Sequence, residues 1–214
     1  MNMQIVSAQL VKMFDSVANA LSADKDRLCA LDGVIGDADH GIAMELGFNA
    51  IRAALVGVDV SSTEPTAIFN LAAKSFLNAV GASSGPLYAT ALMRAAAAVK
   101  GKRQLDKADI VAIVQAMAKG IQERGKAEPG EKTMIDAWHP ASKAIAAAQA
   151  EGKNLAQCLE AALAAASAGA EATKTMIATK GRSARLGERS LGHIDPGAAS
   201  TVTIIAALKS ALTG

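Results

Sequence analysis

Apolar side chains recur every three to four positions at Ile5, Val6, Leu10, Val11, Met13, Phe14, Val17 and Leu21, a helical period that predicts a first helix ending near Asp24. A second such stretch covers about 41–55. The cluster Ser61-Ser62-Thr63-Glu64-Pro65 reads as a helix start, because hydroxyl and carboxylate side chains cap free N–H groups and proline is tolerated in the first turn. That third helix runs to about Val80, and Gly81 ends it. Gly85-Pro86 reopens the chain into a fourth helix through Lys100, and Asp106 caps a fifth that reaches about Arg124. A sixth is expected over 132–150 with a kink at Pro140, a seventh over 154–180 and an eighth over 198–212.

Eight helices joined mostly by short links pack as antiparallel neighbours, so the expected fold is all-α, an eight-helix antiparallel up-and-down barrel or bundle. The links differ in character. Those around 31–41, 81–86, 125–133 and 181–197 are rich in Gly, Asp, Ser and Lys, and they follow the first, third, fifth and seventh helices. Alternate links of an up-and-down array lie at one end, so that end is expected to collect the residues capable of chemistry.

Composition narrows this further. The 214 residues are 51% hydrophobic but only 3% aromatic, and 49 are alanine, the best helix former; a β-sandwich or barrel is excluded. The length suits a single domain over 1–214. A net charge of +2 is too balanced for nucleic acid or an anionic membrane surface. Cys29 and Cys158 have no metal-like or redox-like spacing, nothing at the N-terminus reads as a signal peptide, and no stretch has the unbroken apolarity of a membrane span. A reduced, cytoplasmic protein is expected. The Ala-rich helix faces suit either internal packing or a homodimer.

Asp32, Asp37 and Asp39 lie within eight residues, among turn-forming glycines and just ahead of a helix. Three carboxylates suit a hard cation such as Mg²⁺, since the calcium loop pattern is absent; equally, Asp37 and Asp39 suit helix capping. Gly81-Ala82-Ser83-Ser84-Gly85-Pro86 places small residues before a helix, where free N–H groups attract anions, or where serine simply caps a turn. Residues 124–134 on their own read as a solvated loop. The segment 181–197 carries three Arg and four Gly; loops this long inside a domain are usually functional, and the arginine fork matches phosphate as well as surface carboxylates. Together these features suggest a Mg²⁺-nucleotide site and phosphoryl transfer by positioning and electrostatics.

Over nearly its whole length the chain resembles the L subunits of dihydroxyacetone kinases, which bind the nucleotide. The resemblance rests on Gly36-Asp37-Ala38-Asp39-His40-Gly41, on Ser84-Gly85-Pro86-Leu87, on Arg124 to Met134 followed by Asp136, and on Gly181-Arg182 with Leu186 to Ser190 and on through Gly197. It implies ADP or ATP and two Mg²⁺ ions at one end of an eight-helix barrel. Asp32, Asp37 and Asp39 would hold the metals. His40, Ser84, Gly85, Leu87, Thr133, Met134, Arg182, Asp195 and Gly197 would line the nucleotide site, with Arg182 also catalytic. The implied partners are a dihydroxyacetone-binding K subunit and, in the phosphotransferase-system type, a phosphohistidine M subunit that recharges bound ADP. The isolated chain is then expected to show almost no kinase activity. The chain departs from the pattern at Ala43 and Leu46, where Asn and Arg are usual, at Ser83, and over Ser183-Ala184-Arg185. A two-component ATP-dependent ketose kinase and a non-catalytic, nucleotide-dependent interaction protein are the alternatives.

Overall fold

Eight α-helices dominate the computed structural model, which describes residues 4–81 and 84–214: α1 (Ser7–Ile35), α2 (His40–Leu55), α3 (Pro65–Ala79), α4 (Ser84–Ala98), α5 (Lys107–Gly125), α6 (Ile135–Ala150), α7 (Leu155–Ala172) and α8 (Pro196–Thr213). Every consecutive pair packs together and α8 closes onto α1, so the apolar stripes face a common interior and the array is a closed barrel. Among the described residues no strand forms; an isolated antiparallel bridge between Ile5 and Leu105 ties the chain start to the link before α5.

The interior holds all six aromatic side chains. Phe14 meets Phe69 edge-on at 5.6 Å, and Phe48, Phe76 and Tyr88 form a second cluster with ring centroids 5.3–6.1 Å apart. Small residues fill the helix contacts. Gly47 faces the ring of Phe76 so closely that a Cβ there would lie 2.2 Å from it, and Gly41 meets the backbone of α1 at Lys25 in the same way. Pro140, inside α6, has no N–H to give the carbonyl of Asp136, and Gly169 of α7 packs against that freed carbonyl. No helix among the described residues is long and apolar enough to cross a membrane.

Three predicted boundaries move. The first helix does not stop near Asp24 but continues to Ile35: Asp24 pairs with Arg27 at 2.6 Å and accepts from the Thr203 hydroxyl of α8 at 2.6 Å, so its polarity serves a helix flank. The seventh ends at Ala172 rather than Lys180. Its last carbonyls are taken by the Thr173 hydroxyl and a 3₁₀ turn, Thr173–Thr175, and a second 3₁₀ segment, Ser183–Ser190, breaks at Gly187. The sixth begins at Ile135, because Gly130 and Lys132 take positive φ of 95° and 59° in the turn before it.

Candidate functional site

The extension of α1 places Asp32 in its last turn, where the side chain is buried. Its Oδ2 accepts the backbone N–H of Asp39 at 2.9 Å and of His40 at 3.2 Å, and so caps α2, whose own N-cap residue makes no side-chain cap. The loop between the two helices turns through Ala38, at φ 62°, and carries Asp37 and Asp39 on its exposed side. One oxygen from each of Asp32, Asp37 and Asp39 lies within 4.8 Å of the others. Partial burial, and after it the charge of Asp32, push the Asp39 carboxyl up from its ordinary value. The donors are all carboxylate oxygens, with no thiolate or imidazole among them, which fits Mg²⁺. Arg182 reaches across from the far loop and pairs with both Asp37 and Asp39.

His40 opens α2 with its ring turned inward, its Nε2 2.9 Å from the Ser200 hydroxyl of α8. Ser200 donates to the Gly197 carbonyl at 3.0 Å, which assigns the proton to His40 Nε2 and leaves Nδ1 as an acceptor. Burial holds the imidazole at a pKa of about 4, against the pull of Asp32, so the ring is neutral near pH 7.

Ser84 begins α4 and is buried at the cleft wall, at the positive end of that helix, where the Gly85 N–H is taken by the Gly81 carbonyl at 3.3 Å and Pro86 has none to give; Leu87 lies one turn on and also lines the cleft. Gly85 does not line it. It sits against the Val80 carbonyl, where a Cβ would lie 2.2 Å away, so its role is close backbone packing. Ala82 and Ser83, part of the expected anion cradle, fall outside the described residues.

The segment between α5 and α6 is folded about one carboxylate: Asp136 accepts from the N–H of Gly130 at 2.5 Å and of Thr133 at 2.7 Å. That turn brings Thr133 and Met134 to the cleft, and Met134 packs against Gly197 at the start of α8. Asp195 caps α8 through the N–H of Ala198 at 2.7 Å, and lines the cleft with Gly197. Burial drives its carboxyl up to about 7, opposed by the cap hydrogen bond and Lys132 and assisted by Asp136 and Asp32.

All four chemistry-bearing links therefore meet in one cleft at one end of the barrel, as the alternation of links implied, and every predicted site residue except Gly85 lines it. Ala43 and Leu46 do not: Ala43 packs on the core and Leu46 stands 52% exposed on α2. Sequence reasoning missed Lys132, which lines the cleft yet is 1% exposed, and Ile121, Gly125 and Ala127 beside it. A lysine among Glu, Gly and Pro reads as solvated, and only the motif around it hinted otherwise. Trp138 and Tyr88 are fully buried, and among the described residues neither the Trp138 Nε1 nor the Tyr88 hydroxyl has a hydrogen-bond partner.

The DAK2 domain family matches residues 34–210. The chain is 36% identical over 200 residues to the ADP-binding subunit DhaL of the PEP-dependent dihydroxyacetone kinase of Escherichia coli, covering 94% of each. It is also 36% identical over 188 residues to the ADP-binding subunit of the PTS-dependent dihydroxyacetone kinase of Lactococcus lactis, covering 88% of each chain. The dihydroxyacetone kinase of C. freundii, solved in complex with AMP-PNP and Mg²⁺, superimposes with a TM-score of 0.71 at 26% identity; 98% of this chain matches 35% of that one.

Proposed function

This chain belongs to the DAK2 domain family, and on that premise we propose that it is the ADP- and Mg²⁺-binding phosphoryl-transfer subunit of a dihydroxyacetone kinase, a single nucleotide-binding domain over 1–214. It receives a phosphoryl group from a phosphohistidine donor subunit and delivers it to dihydroxyacetone held on a separate K subunit. The names of relatives that match it over most of their length support this reading, because they are ADP-binding subunits of PEP- or PTS-dependent dihydroxyacetone kinases.

The observation that carries the proposal is one cleft with the carboxylate triad, Ser84 at the start of α4 and Arg182 on its walls. Asp32, Asp37 and Asp39 hold the cations. A triad of charge −3 facing a diphosphate is better balanced by two divalent ions than by one, which supports the pair of Mg²⁺. When bound, the ions neutralise phosphate oxygens and lower the barrier to in-line transfer. Ser84 binds phosphate through its hydroxyl at the positive end of the helix it opens, and Gly85, whose N–H is held by the Gly81 carbonyl, keeps that helix start close to the preceding backbone. Arg182, paired with Asp37 and Asp39, is the one arginine among the described residues that lines the cleft, and it stabilises charge on the moving group. Leu87 and Met134 flank the base, while His40, Thr133, Asp195 and Gly197 complete the wall. No side chain need act as a nucleophile, since the attacking hydroxyl belongs to the ketose. A cytoplasmic location is part of the same proposal.

The test is to denature the protein as purified and identify the released nucleotide and its ratio to protein. Near-stoichiometric ADP is expected. An empty protein that binds ATP and Mg²⁺ reversibly would transfer the reading to an ATP-dependent two-component kinase. Intact Mg-nucleotide binding in a D37A/D39A double variant would remove the site assignment.

A further inference from the structure

Among the described residues Lys132 is the one lysine withdrawn from water, at 1% exposure, and it belongs to a turn that costs it a left-handed φ of 59°. Its Nζ donates to the carbonyl of Thr173, at the end of α7, and to the carbonyl of His193, in the approach to α8. Burial pushes its pKa down, and the charges of Asp195 and Asp136 push it back. A buried cation survives only where acceptors are fixed around it, so three separate segments, 130–134, 173–175 and 193–195, must stay in register for it to exist.

We propose that Lys132 is a positioning residue for the nucleotide: its side chain clamps the 130–134 turn against the entrance to α8, setting Thr133 and Met134 where the base binds. The geometry is specific to that side of the cleft. Met134 already packs on Gly197, Asp195 N–H donates to the Thr173 hydroxyl at 2.9 Å, and Lys132 binds the main chain beside both of these contacts. The carboxylate triad is built separately, by α1 and the 36–39 loop, and shares none of these hydrogen bonds. The clamp therefore acts on adenosine and leaves the metal and phosphate end alone. This rests on the nucleotide reading above.

The test compares two probes by calorimetry, ADP with Mg²⁺ and pyrophosphate with Mg²⁺, on the wild-type chain and on K132M, each freed beforehand of retained nucleotide by chelation of its metal and shown to release none on denaturation. The expected result is ADP binding weakened about tenfold or more with pyrophosphate binding held within about twofold. Equal losses on both probes, or no loss on either, overturns the clamp. A wild-type chain that binds neither probe overturns the nucleotide reading, and the clamp with it. Hydrogen exchange on the wild-type chain needs no variant: ADP with Mg²⁺ is expected to slow amides of 130–134, 173–176 and 193–198 together, whereas pyrophosphate with Mg²⁺ does not slow 130–134. Separate responses of the three segments to ADP overturn the proposal even where K132M fails to fold.

Discussion

The Asp32 carboxylate accepts the backbone N–H of Asp39 at 2.9 Å, so one of the three acids of the cluster is also the cap of the helix that follows. Its two oxygens divide the work: Oδ2 serves the helix start, and the group's charge serves a cation. Asparagine keeps an acceptor for the cap and loses the charge, while alanine loses both. D32N is thus expected to melt no lower than wild type yet to bind Mn²⁺, read by electron paramagnetic resonance, at least about tenfold more weakly. D32A is expected to match that binding loss and also to melt roughly 2–4 °C lower, as loss of a cap worth about 1 kcal/mol implies. A D32N that binds Mn²⁺ normally would take Asp32 out of the cation set.

Gly36 guards the same carboxylate. A Cβ built there lies 2.1 Å from Asp32 Oδ1 and 2.9 Å from its Cγ, so alanine evicts the carboxyl from its position against α2. G36A is expected to weaken Mn²⁺ and Mg-nucleotide binding by about tenfold or more while far-ultraviolet circular dichroism stays that of the wild type. Unchanged affinity would mean that Asp32 has a second usable rotamer.

The barrel was legible because each helix carries an apolar stripe and because the four polar links alternate with plain ones; that alternation alone put Asp37, Ser84, Thr133 and Arg182 at one end. What escaped was long-range satisfaction of polar groups. Asp24 looked like a stop signal because its partners, Arg27 and the Thr203 hydroxyl, are a turn away and in another helix. Asp32 read as a loop residue for the same reason. Lys132 was invisible as a buried group, since burial of a lysine depends on carbonyls at 173 and 193 that no local pattern announces. Gly85 was legible as part of the motif but not as a packing residue, a distinction that only the nearby Val80 carbonyl reveals.

Gly169 tests the contact between α6 and α7. Pro140 leaves the Asp136 carbonyl without its helical N–H, and a Cβ at Gly169 would approach that carbonyl to 1.9 Å. Backbone cannot yield as a side-chain tip can, so G169A must spread the two helices. A loss of about 1–3 kcal/mol in urea unfolding is expected. Because Asp136 also ties Gly130 and Thr133, Mg-ADP affinity is expected to fall in the same variant. Wild-type stability in G169A would show that the interface opens freely.

Asp195 gives the fold a proton of its own. Burial raises its carboxyl to about 7, whereas in the unfolded chain the same group has its ordinary value near 3.8. Between those values the folded chain keeps a proton that the unfolded chain has released. The stability contributed by this group is therefore fully present below about pH 4 and is lost as pH rises to about 7, with a slope approaching ~1.4 kcal/mol per pH unit. Other groups, such as Glu131, whose carboxyl is held low, act in the opposite direction, so the contrast with a variant is what isolates Asp195. D195N keeps an acceptor for the Ala198 N–H and cannot titrate. Relative to wild type, D195N is expected to gain stability steadily from pH 4 to pH 7 in urea titrations, and a difference that stays flat across that window would mean that Asp195 is ionised throughout.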